Sequence, residues 1–356
     1  MRLTKKILSF GIGAVLSSFC VTNAEAAKVG ISMPNDHLQL RWFSSDSVYL
    51  KDELEKLGHE VVITYAGDND ILTQTRQVEN LVDTCDFLVI VPIDSKSLNY
   101  SLDKAYKKKI PVISYDRMLR DTKSVSYYVG TDSKQIGSTM AKYVVDKLRL
   151  MDRNQPANIE IFAGDINDEN TIDIDYGVNS VLRPFFEIGK LNILSHESAL
   201  KQNQTVKWSK QYARERMQRL AKEQGYAPKG KKLDAVIAFN DATARGVIDS
   251  LRKLGYKEGY YPVITGQDCN RLSVSLIEND VQSMSIFKDE RKMAIETARI
   301  IDTLSKKKMV TVNHPEGINN GLKNVPSQLI DVVVVTKDNV KPVLYDSGYI
   351  TEENAE

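Results

Sequence analysis

The 356-residue sequence is poor in metal-binding and redox side chains: it has three cysteines (Cys20, Cys85, Cys269) and four histidines (His37, His59, His196, His314). The histidines are scattered, none in an H-E-x-x-H or H-x-H pattern, which leaves little room for a zinc framework. With 19 glycines and 10 prolines, both below ordinary usage, no low-complexity linker is expected. No G-x-x-x-x-G-K-[ST] loop occurs, and the only G-x-G (Gly11, Gly13) lies in the apolar N-terminal stretch. Nucleotide binding of the common α/β kinds therefore has no support, and no cofactor is expected. No G-x-S-x-G elbow is present either. Charge of one sign is also missing: 48 Lys and Arg stand against 47 Asp and Glu. A chain so balanced has no surplus to meet phosphates, which argues against nucleic acid or an anionic membrane as the main partner.

At 42% hydrophobic and 27% charged, the composition is globular, and the length suits two domains. The first 27 residues read as a secretory signal peptide. Arg2, Lys5 and Lys6 form a positive start, Ile7 to Val21 is apolar or small, and Ala24-Glu25-Ala26 precedes a cut near Ala26 or Ala27. The apolar stretch falls short of the ~20 residues of a spanning helix. Phe19 occupies the place where lipid attachment at Cys20 wants a small residue. Removing 1–27 leaves a chain of near-zero charge, expected to be a soluble monomer in the periplasm. Cys85 and Cys269 are expected to be free, structural thiols.

Short apolar, β-branched runs alternate with amphipathic stretches along the rest of the chain. Predicted strands are Val29–Met33, Val61–Tyr65, Phe87–Val91, Val112–Tyr115, Ile159–Ala163, Leu191–Leu194, Ala235–Phe239, Val263–Thr265, Met284–Phe287 and Val332–Val335. Between them, Leu50, Leu54 and Leu57 keep a helical period up to Gly58. Ile136, Met140, Val144 and Leu148 do the same, as do Ala244, Val247, Leu251 and Leu254 before Gly255. Such alternation predicts parallel α/β sheets, and ten strands are too many for one, so two α/β lobes are expected. The residues from Thr336 onward read as a short helix and a surface tail. His59 reads as a solvated turn residue.

Ligands of open α/β sheets bind beyond the carboxyl ends of the strands. At those ends stand Arg41 and Trp42, Asp116 and Arg117, Asn170, Asn240 and Asp241, Gln267 and Asp268, and Lys288 with Asp289. Trp208 is expected to open the helix after Leu191–Leu194. Asp241, Asp289 and Asn170 could each simply cap a helix. The acidic run Asp165–Glu169 lacks the glycine and distal glutamate of a calcium loop and reads as a solvated loop beside a ligand site. Carboxylates, forked cations, amides and both tryptophans of the chain at one topological edge suit a polyhydroxylated ring: charged groups bind vicinal hydroxyls and indoles cover C–H faces. A sugar of about 10–12 heavy atoms bound at micromolar affinity needs roughly −0.7 kcal/mol per atom, so nearly every hydroxyl must be paired away from water, as in a cleft that closes between lobes.

Leu40-Arg41-Trp42, Gln77-Val78-Glu79-Asn80, Ser114-Tyr115-Asp116-Arg117, Asn240-Asp241-Ala242-Thr243-Ala244, Gly266-Gln267-Asp268, Ile286-Phe287-Lys288-Asp289 and Val325-Pro326-Ser327 occur in an order and spacing that resembles the periplasmic sugar-binding proteins of ABC transporters, in the D-xylose-binding and multiple-aldose-binding branch. The resemblance implies a type I periplasmic-binding-protein fold of two doubly wound lobes joined by three crossings. It implies an N-terminal lobe of 28–131 plus 287–325 and a C-terminal lobe of 132–286 plus 326–356. It further implies that Trp42 and Trp208 sandwich the sugar. Arg41, Asp116 and Arg117 would bind hydroxyls from one lobe, Asn170, Asn240 and Asp268 from the other, and Lys288 from the hinge, with Asp241 and Gln267 in support. The sequence departs from the family pattern at Ser95, Ala163–Ile166 and Glu169. The expected activity is closure on an aldopentose or aldohexose and delivery to an ABC permease, without catalysis. A sensory module signalling to a chemoreceptor or kinase would carry the same site. A secreted enzyme using Asp116 and Asp268 as acid and base is the remaining alternative.

Overall fold

The computed structural model describes residues 26–35, 41–67 and 70–351; residues 1–25 of the expected signal peptide lie outside them. Among the described residues thirteen strands form sheets of seven, four and two strands. The strands of the first are β1 (Lys28–Asn35), β2 (Glu60–Gly67), β3 (Phe87–Ile90), β4 (Val112–Tyr115), β5 (Val125–Gly130), β11 (His314–Asn319) and β12 (Asn324–Leu329), in the order β11-β12-β5-β4-β3-β1-β2. All pairings are parallel except β11 with β12. The second sheet holds β6 (Ala157–Phe162), β7 (Leu191–Asn192), β8 (Ala235–Ala238) and β9 (Val263–Ile264) in the order β7-β6-β8-β9. A bridge between Gln267 and Ile286 extends it to β10 (Ser285–Lys288), which pairs antiparallel with β13 (Val332–Val335).

Helices cover both sheets. They are α1 (Ser47–Lys56), α2 (Ile71–Thr84), α3 (Asn99–Lys107), α4 (Ser133–Lys147), α5 (Glu169–Glu187), α6 (Leu200–Asn203), α7 (Lys210–Gln224), α8 (Asp241–Lys253), α9 (Arg271–Glu278) and α10 (Glu290–Ser305). Central strands such as β3 (FLVI) and β8 (AVIA) are buried at every position, as strands covered on both faces must be. Helix starts are set by side-chain caps: Asp132 accepts from Gln135 N, Asn240 from Thr243 N and Asp289 from Arg291 N. Asp168, not Asn170, caps α5, and Asn240, not Asp241, caps α8. Helices α4 and α5 pack through facing glycines. A Cβ on Gly137 would lie 2.0 Å from Ile174 O, and one on Gly177 2.1 Å from Lys134 O.

The chain passes between the sheets three times: over Thr131 and Asp132 after β5, at Asp289 after β10, and over Ile330 and Asp331 after β12. The expected boundary at 325 falls inside β12, whose Ser327–Leu329 pair with Tyr128–Gly130 of the first sheet, so the last crossing comes four residues later than the sequence suggested. The boundary at 287 likewise moves to the end of β10, which pairs through Lys288 with β13.

Three further expectations are corrected. Residues after Thr336 do not trail on the surface: Val340, Leu344, Tyr349 and Ile350 form a buried cluster with Cys269, Phe287 and Val335. His59 is buried, its Nδ1 accepting from Ala27 N, and burial lowers its pKa. Trp208 does not open α7. It ends a single 3-10 turn (Val206–Trp208) with φ of 55°, and Ser209 caps the helix. Cys85 and Cys269 are free and buried. Among the described residues no helix is long and apolar enough to cross a membrane, and no cluster of three or more His, Cys, Asp or Glu could hold a metal ion.

Candidate functional site

One pocket lies between the carboxyl ends of the two sheets. The first sheet presents Arg41 and Trp42 after β1, and Asp116 and Arg117 after β4. The second presents Asp168 and Asn170 after β6, Trp208 ahead of α7, Asn240 after β8, Gln267 and Asp268 after β9, and Lys288 at the end of β10. Ten of the eleven residues singled out from the sequence thus line a single space. Asp241 does not. It lies beneath the pocket, accepting from Gln282 Nε2 (2.7 Å), Ser285 Oγ (2.8 Å) and Asn270 N (2.7 Å), and so ties down the turn that carries Asp268. Asp116 and Asp268 both turn out of their strands with left-handed backbones, φ 59° and 94°, which aim short acidic side chains back across the strand ends.

The charges are interlocked. The Arg41 guanidinium donates to both oxygens of Asp46 (2.8 and 2.9 Å), to Asp116 Oδ2 (3.2 Å) and to Asp268 Oδ1 (3.0 Å). Lys288 Nζ bridges the same pair of carboxylates, 3.2 Å from Asp116 Oδ2 and 3.1 Å from Asp268 Oδ1. Arg117 Nε lies 2.8 Å from Asp168 Oδ2, which also accepts from Trp208 Nε1 at 3.2 Å. Asn170 Nδ2 donates to the Asp116 carbonyl at 3.1 Å. The Arg41–Asp268, Arg117–Asp168 and Asn170–Asp116 contacts each run from one lobe to the other, and Ser95 N donates to Asn167 O at the rim (3.3 Å). Arg41 also stacks 4.2 Å from the Trp42 ring centroid. With these groups in contact, the pocket's free interior is about 20 Å³, room for about one water.

Three cations meet three carboxylates on the lining, which is therefore neutral as a whole. Burial alone would raise the Asp116 carboxyl, but Lys288, Arg41 and Arg117 hold it well below the usual range. Burial opposes the charge on Arg41 and Lys288, and their carboxylate partners outweigh it, so both stay protonated. Burial pushes Asp168 up, with Arg117 offsetting part of the rise.

Sequence reasoning missed four functional groups. Asp168, within the acidic run that reads as a solvated loop, is buried at the pocket wall; its place as the cap just before a helical pattern, at a strand end, is the available signal. Asp46, Tyr115 and Glu290 form a supporting layer behind Arg41. Tyr115 OH donates to Asp46 Oδ1 (2.9 Å), and Glu290 Oε1 lies 3.9 Å from Arg41 Nε. The Tyr115–Asp46 and Glu290–Arg41 pairs are distant in sequence and leave no local spacing to read, whereas Asp46 stands five residues after Arg41, within local reach.

Comparison with known proteins agrees with this architecture. A periplasmic binding protein domain matches residues 29–309. The sequence is 36% identical over 329 residues to the multiple sugar-binding periplasmic receptor ChvE of Rhizobium radiobacter, covering 92% of this chain and 91% of that one. It is 29% identical over 340 residues to the D-xylose-binding periplasmic protein of Escherichia coli K12, covering 94% and 96%. Among solved structures, an ABC transporter solute-binding protein of Clostridium phytofermentans with bound β-D-glucose superposes with a TM-score of 0.87 at 38% identity, over 92% of this chain and all of that one.

Proposed function

The chain belongs to the periplasmic binding protein family, and we propose that within it this protein is a receptor that closes its two lobes on one neutral monosaccharide, an aldopentose or aldohexose, and hands it to an ABC permease. The observation that carries this reading is the pocket lining, where three cations and three carboxylates alternate between two indoles, one from each lobe. A sugar phosphate or sugar acid would unbalance those charges; a neutral polyol leaves them balanced while pairing with each.

The lobes part at the three crossings, and the direct contacts of Arg41 with Asp268 and of Asn170 with Asp116 open. Ring hydroxyls then take over those hydrogen bonds as the lobes return, with Trp42 and Trp208 against the C–H faces of the ring. Because ligand and protein trade the same partners, the sugar stabilises the closed form only by the surplus of its contacts over the direct ones. Asp116, held ionised by Lys288, Arg41 and Arg117, is unsuited to act as a general acid, in keeping with a family of binding proteins rather than enzymes. The N-terminal segment up to Ala26 acts as the export signal and is removed, which leaves Ala27 to pair with His59 and puts the folded protein in the periplasm.

A thermal-shift screen of pentoses and hexoses, followed by calorimetry on the positives, tests the proposal. At least one aldose is expected to raise the melting temperature saturably. Absence of binding by every member of the panel refutes it.

A further inference from the structure

The near-zero net charge of the chain conceals a segregation of charge. Segments 147–153, 227–234 and 252–263 together hold nine Lys and Arg against three Asp and Glu. They converge at the amino-terminal edge of the second sheet, ahead of β6, β8 and β9, and therefore at the opposite end from the sugar pocket. Between them lies a cavity of about 530 Å³ lined by Lys147, Arg149, Lys232, Tyr256, Tyr260 and Tyr261.

Its one carboxylate is already saturated. Asp234 accepts from Arg153 (3.0 Å), Lys232 (2.9 Å) and Asn158 N (2.9 Å), so it cannot neutralise the rest. Lys147 and Arg149 are exposed and have no carboxylate partner among the described residues. Like charges gathered this way repel one another unless an external anion balances them. Large apolar side chains stand beside them in water: Met151 is 75% exposed and Tyr260 76%. A soluble phosphate would satisfy the cations and leave Met151 and Tyr260 hydrated. A lipid surface uses both features, its phosphates meeting the basic ring and its acyl boundary receiving the apolar tips.

We propose that this end of the second lobe docks on an anionic phospholipid surface, a phosphodiester headgroup entering the cavity between Lys147, Arg149 and the tyrosines. The site is independent of the sugar pocket. Docked this way, the protein keeps its cleft turned away from the lipid and free to bind sugar.

Co-sedimentation with vesicles tests the proposal. The protein is expected to pellet with an equimolar mixture of phosphatidylglycerol and phosphatidylcholine, not with phosphatidylcholine alone, and to be released by salt. Neutralising one cation should weaken binding about 5-fold, and the Lys147→Gln/Arg149→Gln double variant about 25-fold. Tyr260→Ser should weaken it at unchanged charge. The melting temperature of each variant, with and without sugar, should match that of the parent, which separates loss of docking from loss of fold or of the sugar site. Equal binding to neutral vesicles, no binding to anionic ones, full retention of the double variant, or a preference for single-stranded oligonucleotide at the same salt would each overturn it.

Discussion

Adding one methyl group behind the indole of Trp208 should damage ligand binding more than fold. Gly164 lies directly against that ring: a Cβ there would sit 2.1 Å from Trp208 Cη2, 2.2 Å from Cζ2 and 2.4 Å from Thr171 Oγ1. To restore an ordinary 3.4 Å contact the indole must retreat by about 1.3 Å. It cannot do so freely, because its Nε1 is bonded to Asp168 Oδ2, the same oxygen that holds Arg117. Overpacking of this kind costs about 1–3 kcal/mol. Where the strain falls on the sugar-bound state, Gly164→Ala should raise Kd by roughly 5- to 150-fold. Isothermal titration with the sugar identified by the screen measures the loss, and the emission maximum of the unliganded variant reports the moved ring. A Gly164→Ala protein with parental affinity and parental emission would refute the placement of Trp208 against the ligand.

Three other tests follow from the same geometry. Asp268→Asn removes the carboxylate shared by Arg41 and Lys288, and breaking a charge pair in such a setting costs about 2 kcal/mol or more, so sugar affinity should fall at least about 30-fold by calorimetry; unchanged affinity would put Asp268 outside the contact set. Both tryptophans of the chain line the pocket, so sugar should change intrinsic fluorescence saturably and with the calorimetric Kd; binding without any spectral response contradicts two indoles facing the ring. Burial, opposed by Arg41 and reinforced by Asp46, pushes the Glu290 carboxyl up to about 8 from the 4.5 of a free glutamate. The folded state then holds a proton that the unfolded state releases, so this group's contribution favours the fold at low pH and declines as pH rises from about 4.5 to 8. Glu290→Gln, which still accepts from Tyr349 OH, should flatten that decline in melting temperature; a steeper decline in the variant contradicts the assignment.

What could be read from the sequence depended on how locally it was encoded. Strands buried on both faces, such as Phe87–Ile90 and Ala235–Ala238, announce themselves as uninterrupted apolar runs. The three strands that escaped notice are of another kind. In β11 and β12 the burial is partial, a proline at 326 interrupts the run, and the pair is irregular between His314 and Ile318. In β5, Ser126 and Tyr127 are only half buried, which breaks the apolar signal. The pocket was legible because its residues directly follow strand ends, a topological rule. Asp168 was hidden by its acidic neighbours, which suggested a hydrated loop, whereas its burial depends on Arg117 and Trp208, 51 residues upstream and 40 downstream. His59 and the C-terminal segment were misjudged for the same reason. What covers them, Asp302 for the one and Phe287 for the other, is set by tertiary packing that no local period reports.

The three crossings also govern how the molecule can be made. Strands β11 and β12 complete the first sheet, yet they are synthesised only after β6 through β10 of the second. Until residues 314–329 emerge, β5 presents an open hydrogen-bonding edge, the kind of surface that recruits other chains. The nascent polypeptide therefore cannot finish its first half before its second half exists. Any early stop short of β12 would yield an assembly hazard rather than a smaller working unit, and export as an unfolded thread, with both halves maturing together on the far side, suits that architecture.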